Sequence, residues 1–268
     1  MTTLHYRRIT PAQIRELIDG APSEPTALVN DHRRSLTSRL RAVASGEHRR
    51  LDAWLVERAG RPSDGFNWTP FTARRFLGNA AVRRVTARPG RSIADAVEDE
   101  VIDQLLRATS GGVRSGSLAH WMASLDAPGC GLVAAEAVNW CSMVLEAAQY
   151  VDQPWRVAPS DAYYDVASAR TTLRGRRDLL VDAAGQRVVM RFRCGSPGKS
   201  AGPGLRADLT IEALADPKGV SPARIIGLWP DAGVCLAVDG TMDDLRAGAR
   251  DLVRTAVAQQ RLAAARAA

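Results

Sequence analysis

Lysine is almost missing from this 268-residue chain: Lys199 and Lys218 are two of its 36 basic residues, and the other 34 are arginine. Chemistry that depends on a lysine has two positions at which to find one. Cysteine is scarce too. Cys130, Cys141, Cys194 and Cys235 lie far apart, form no C-x-x-C pair and stand mostly in apolar runs, where a free thiol behaves as a small hydrophobe. That spacing speaks against a zinc site and against the four-cysteine pattern of an iron–sulfur cluster. No stretch reads as approaching the roughly 20 apolar residues of a membrane span. The first residues, with His5, Arg7, Arg8 and Glu16, lack the apolar region of a signal peptide. A cytoplasmic protein without membrane attachment is the expectation. No internal repeat is visible.

What the chain does have is enough apolar residues, 46% of the total, to bury a substantial core without disulfides. It also carries a net charge of +7, from 36 basic against 29 acidic residues. Such a field favours polyanionic partners. Two origins of the excess stay open: a nucleic-acid footprint, since arginine's planar fork suits phosphate, and a coding bias that also raises alanine.

The first ~150 residues read as helices, because caps and apolar spacings recur at helical intervals. Thr10-Pro11 opens a short helix that Gly20 closes. An arginine-rich segment follows with Leu28, Leu36, Leu40, Val43, Leu51, Trp54 and Leu55 as its stripe, before a break over Gly60 to Asn67. Thr69 and Pro70 start another helix, Ser92 and Asp95 cap the next, which Gly111 ends, and Gly116–Leu125 and Leu132–Tyr150 give two more. After Pro154 the pattern turns extended: Ala162–Val166, Thr171–Asp182, a turn at Ala183-Ala184-Gly185, and Arg187–Cys194. A Gly/Pro/Ser loop spans Gly195–Gly204 and a helix Leu205–Leu214. Strands Arg224–Trp229 and Val234–Val238 flank a Pro230–Gly233 turn, and Met242 opens a last long helix. The fold class is α/β (α+β), a mixed sheet flanked by helices. The expected organisation is an N-terminal helical segment 1–67 and a domain 68–268, with helices over 68–150, a sheet core over 156–240 and a C-terminal helix over 241–266.

The run Leu173-Arg174-Gly175-Arg176-Arg177-Asp178-Leu179-Leu180-Val181-Asp182, then Val188-Val189-Met190-Arg191-Phe192-Arg193-Cys194-Gly195, resembles the central hairpin of RecB-like PD-(D/E)XK nucleases. There a G-x-x-D strand is followed by one ending in D/E-x-K and a small residue. Trp68-Thr69-Pro70 resembles the family's S-P-S motif, and Gly116-x-x-x-His120 its G-x-x-x-H helix. The likeness runs loosely over residues 68 to 257. It implies a nuclease-type core associated with DNA repair, recombination or defence in a bacterium, with DNA as partner and a helicase or nuclease alongside.

Nuclease chemistry of this type needs carboxylates around a divalent ion, plus a lysine. Asp178 matches one ligand. Arg191 stands at the second carboxylate and Arg193 at the lysine, so D/E-x-K reads R-F-R. A permanent cation replaces a metal ligand, and arginine cannot serve as a base. The resemblance thus implies a degenerate site of Asp178, Arg191, Arg193, His120 and Glu136 with no cofactor. If the protein is active instead, Asp178 and His120 would hold magnesium or manganese, with Lys199 as a migrated lysine. Asp182, Asp208 and Glu212 read mainly as solvated acids, His120 as an ordinary helix histidine, and Glu136 as a carboxylate awaiting a buried arginine, with Arg193 as its expected partner or, failing that, Asp178 as the partner of Arg193. Candidate phosphate contacts are Arg74, Arg75, Arg174, Arg176 and Arg193, with Arg83 and Arg84 on the same helix as Arg74. Three functions remain open: a non-cleaving DNA-binding pseudo-nuclease, an active metal-dependent nuclease with relocated residues, and a protein–protein scaffold without DNA.

Overall fold

The computed structural model describes residues 9–24, 26–28, 30–43, 48–58, 67–88, 90–110 and 114–267. The break expected at Gly60–Asn67, Asn67 excepted, and the helix stop at Gly111 lie outside them. The chain divides into two compact units, one of Met1–Pro62 with Val151–Ala268, the other of Ser63–Tyr150.

In chain order, the first unit begins with α1 (Pro11–Asp19) and α2 (Asn30–Ala42). Thr10 caps α1 in a full capping box with Gln13, as its sequence announces. The arginine-rich segment does not continue as helix. It becomes a strand, β1 (Arg49–Asp52), and a short helix, α3 (Ala53–Glu57), whose N-cap is the Asp52 carboxylate accepting from the Leu55 N–H at 3.0 Å. Tertiary pairing overrides the helical spacing here, since β1 lies parallel to a strand more than a hundred residues later and buries Leu51 completely. The N-terminal segment is therefore built into the sheet-bearing unit, not set apart as 1–67.

The second unit is helical: α4 (Pro70–Ala87), α5 (Ile93–Thr109), α6 (Leu118–Ala123) and α7 (Ala127–Gln149). Thr69, Ser92, Ser117 and Asp126 cap them through their side-chain oxygens. Helix α7 starts earlier than Leu132 because Asp126 caps it and Pro128 fits the first turn. It crosses α4 closely at Gly78, where a Cβ would run into the Trp140 ring, and Trp140 donates its indole N–H to Asn79 at 2.8 Å. Contrary to the reading of the sequence, α7 is long and apolar enough by length and composition to cross a membrane. Its Val133, Ala137, Trp140, Cys141 and Val144 form a buried face, and about a third of the apolar stretch is enclosed.

The first unit resumes with β2 (Trp155–Val157), β3 (Ala162–Val166), β4 (Thr171–Gly175), β5 (Leu179–Ala183) and β6 (Gln186–Phe192). Then come α8 (Ala201–Ala215), β7 (Arg224–Trp229), β8 (Val234–Asp239) and α9 (Met242–Ala267). Two sheets result, ordered β1-β4-β3 and β2-β5-β6-β7-β8, with β1/β4 and β6/β7 parallel and the other pairs antiparallel. The mixed α/β class expected from the sequence is what the chain forms. One expected strand, Thr171–Asp182, is two. Gly175 ends β4 in the smaller sheet and Leu179 begins β5 in the larger, with Arg176-Arg177-Asp178 passing between them. The helix expected from Leu205 starts at Ala201, since Pro203 in its first turn gives up no internal hydrogen bond.

Helix α8 is the centre of this unit. Every residue from Leu205 to Leu214 except Arg206 is buried, the mark of a helix enclosed on all sides. It meets both sheets and α9. Ile211 packs on Gly175 of β4, and Gly248 of α9 lets that helix approach the Arg206 carbonyl and the Thr210 hydroxyl.

The β5–β6 turn puts two consecutive residues, Ala184 (φ +54°) and Gly185 (φ +80°), in left-handed conformation. Glycine bears this freely; alanine does not, whereas Asn-Gly is the favoured pair for such a turn. Ala184→Asn is expected to stabilise the protein by about 0.5–1 kcal/mol, read as a higher urea midpoint at unchanged m-value. Burial pushes the Cys141 and Cys235 thiols up to about 12. A disulfide exchange reagent at pH 8 should therefore leave both unmodified in the folded protein and label them only on unfolding. Mass mapping of labelled peptides reads this directly.

Candidate functional site

The β5–β6 hairpin carries the residues that the sequence singles out, and its two faces differ. Gln186, Val188, Met190 and Phe192 point one way. Arg187, Val189 and Arg191, with Arg193 just past the strand, point the other, toward α8. Helix α8 answers with acids four residues apart: Asp208 and Glu212 on the helix and Asp216 at its C-cap.

The two spacings match. Four strand residues from Arg187 to Arg191 advance about 13 Å, and eight helix residues from Asp216 back to Asp208 advance about 12 Å. Arg187 accordingly reaches Asp216 at 3.7 Å and Glu212 at 3.9 Å, while Arg191 pairs with Asp208 at the other end. Glu212, fully buried, also takes a forked pair of hydrogen bonds from Arg177, at 2.6 and 2.8 Å. Asp208 is 1% exposed and Arg191 3%. The reading of Asp208 and Glu212 as solvated acids is thus overturned: the same stripe that would be a wet face on an outer helix is interior on this one.

Asp178 stands at the head of β5. Its main-chain N–H donates to the Met190 carbonyl at 3.2 Å, and its carboxylate accepts from the Phe192 N–H at 2.8 Å. One step beyond the Leu179–Met190 pair of the ladder, it lies beside Arg191. Arg193 leaves the same end of the hairpin. Its partner is neither Asp178 nor Glu136 but Glu57 of α3, and its guanidinium lies 5.1 Å from the Trp229 ring centre. Glu57 is held against α8 at Gly204, where a Cβ would collide with its carboxylate. Nothing in the sequence links residues 57, 193 and 204, because the helix bearing Glu57 is brought in by the β1–β4 pairing.

The other singled-out residues are dispersed. Glu136 belongs to the helical unit, where it pairs with Arg74 at 3.1 Å. Arg74 is 4% exposed and also covers the Phe71 ring, so the phosphate contact expected of it is corrected: this guanidinium is interior. Arg75 lies partly buried on the same helix. Arg174 turns onto Asp161, with its Nε 2.6 Å from the carboxylate. Burial pulls the Arg174 pKa down, but Asp161 acts more strongly in sum and the net shift is upward. Arg176 lies partly buried in the link between the sheets. His120 is exposed on α6 of the helical unit, and Lys199 is exposed in the loop before α8.

The chain matches no family model, no curated protein and no solved structure. Its chemistry has to be read from the residues alone. Among the described residues no group of three or more histidine, cysteine, aspartate or glutamate side chains is placed to hold a metal ion. Around the hairpin Asp208, Glu212 and Glu57 are each paired with arginine, a donor set that suits magnesium or manganese poorly.

Breaking the ladder from one side leaves a carboxylate buried without its cation. Arg191→Ala is expected to cost about 3–5 kcal/mol, and Arg191→Met combined with Asp208→Leu to recover most of it. Arg193→Ala should cost less, about 1–2 kcal/mol, because water reaches Glu57, and Arg193→Lys should restore part of that. Urea unfolding of the four variants tests the order.

Proposed function

We propose that this chain is a non-cleaving nucleic-acid-binding protein with a nuclease-like hairpin, acting in the bacterial cytoplasm beside a helicase or nuclease partner. The observation that carries it is the fate of the R-F-R pair. Both arginines that replace the family's carboxylate and lysine are committed to acids of the same unit, Arg191 to the buried Asp208 and Arg193 to the part-buried Glu57. A centre of this composition stabilises its own fold and offers a hydrolytic water neither a base nor a Lewis acid.

The order of elements around it supports the family reading: a hairpin with Asp178 at its head, a helix, then a strand parallel to the second hairpin strand. Four free cysteines, none paired, suit a reducing compartment. The net charge of +7 supports a polyanionic ligand.

Purified protein with magnesium or manganese is expected to leave supercoiled plasmid and linear duplex intact. It should bind labelled DNA with an affinity that falls steeply as salt rises. Cleavage that Asp178→Ala abolishes overturns the non-cleaving half of the proposal. Absence of salt-dependent binding to duplex and single strands alike overturns the other half and leaves a protein scaffold.

A further inference from the structure

The helical unit holds a cavity of about 840 Å³ between α4 and α5, closed at one end by the start of α6. Its walls follow from helical spacing: Phe76, Ala80, Arg83, Arg84 and Ala87 share one face of α4, and Glu100, Gln104 and Arg107 one face of α5. The two ends differ chemically. One is aromatic and the other cationic.

At the aromatic end Trp68 is fixed by its indole N–H donating to the Gly116 carbonyl at 2.8 Å. Phe76 meets it edge-on at 5.0 Å between ring centres, and Trp121 stacks behind it at 6.4 Å. Phe76 remains 42% exposed, a large share for a phenylalanine in an aromatic cluster. The cluster is held in place, and part of the Phe76 ring lines the cavity.

Five arginines line the cavity against a single acid, Glu100. They divide in two. Arg84 bonds Glu100 and Asp103, and Arg91 bonds Asp99, so these two brace the wall. Arg83, Arg88 and Arg107 are exposed and have no ion-pair partner among the described residues. Arg83 stands seven residues and Arg88 twelve residues beyond Phe76, roughly 10 and 18 Å along the helix.

We propose that this groove is a binding site for single-stranded nucleic acid, with a base against Phe76 and consecutive phosphates on Arg83, Arg88 and Arg107. The site rests on the nucleic-acid reading above and supplies its location, which the hairpin does not. Three cations without an ion-pair partner in one recess call for a polyanion, and a part-exposed aromatic ring beside them calls for a flat π-surface on the same ligand. An unstacked strand presents both. A duplex keeps its bases stacked away from a recessed ring.

The test is fluorescence anisotropy of the full chain with a labelled 12-nucleotide oligo(dT), a duplex of the same length and a phosphotyrosine peptide, across a salt series. The oligo(dT) should bind tightest. Replacing Arg83, Arg88 and Arg107 together by alanine should weaken it at least tenfold and reduce the slope of log K against log salt by about 2, at roughly 0.7 per contact. Phe76→Ala should weaken binding about tenfold with the slope unchanged. Circular dichroism melts confirm that both variants fold, as expected for exposed side chains. Arg254→Ala, at a largely exposed side chain on α9, serves as a variant outside the groove and should bind as the parent does. Binding of the parent that survives the triple change, with the same slope, overturns the groove and leaves the nucleic-acid reading standing. No binding of either nucleic acid overturns both. Preference for the phosphopeptide overturns the proposed ligand.

Discussion

Two acids one turn apart on an enclosed helix, with a third at its C-cap, dictate the arrangement of the sheet-bearing unit. Asp208 and Glu212 are sealed inside, and an unpaired buried carboxylate is among the most costly groups a fold can contain. Their cations come from two places: Arg177 in the link before β5, and Arg187 and Arg191 on β6. Charge pairing at such depth adds little net stability over apolar packing, but it penalises every alternative register. A one-residue slip of β6 would turn Arg187 and Arg191 to the opposite face and strand the acids of α8.

Much of the fold was legible in the sequence. Caps at Thr10, Thr69 and Ser92, the Ala184-Gly185 turn and the extended run after it are local signals, and the elements formed where they pointed. What failed was long-range. Residues 49–57 carry helical spacing, and only a partner far along the chain makes part of them a strand. The Thr171–Asp182 run looked continuous because both halves are extended; its division between sheets depends on where α8 lies. The candidate site was half legible. The R-F-R departure was plain, and so was the need of each charge for a partner. The partners were not, because an acid on an enclosed helix and one on a surface helix have the same letter and the same spacing.

The helical unit shows a different use of arginine. On α4 alone, Arg74 is interior and paired with Glu136, Arg84 is engaged by acids on α5, and Arg83 faces solvent. Adjacent or near-adjacent residues of one type thus divide between architecture and availability according to the helical face they occupy. The excess of basic over acidic residues says nothing about this division, since a buried pair and an exposed pair contribute equally to net charge.

The parallel pairing of β1 with β4 bears on the order in which the molecule can be made. Arg49 bonds Thr171, 122 residues later, and the Ala256 carbonyl, 207 residues later. On a ribosome the first strand emerges long before anything exists to pair with it, while the helices of Ser63–Tyr150 find their contacts locally as they appear. The insert can thus be complete while the unit it interrupts is still waiting for β4 and α9.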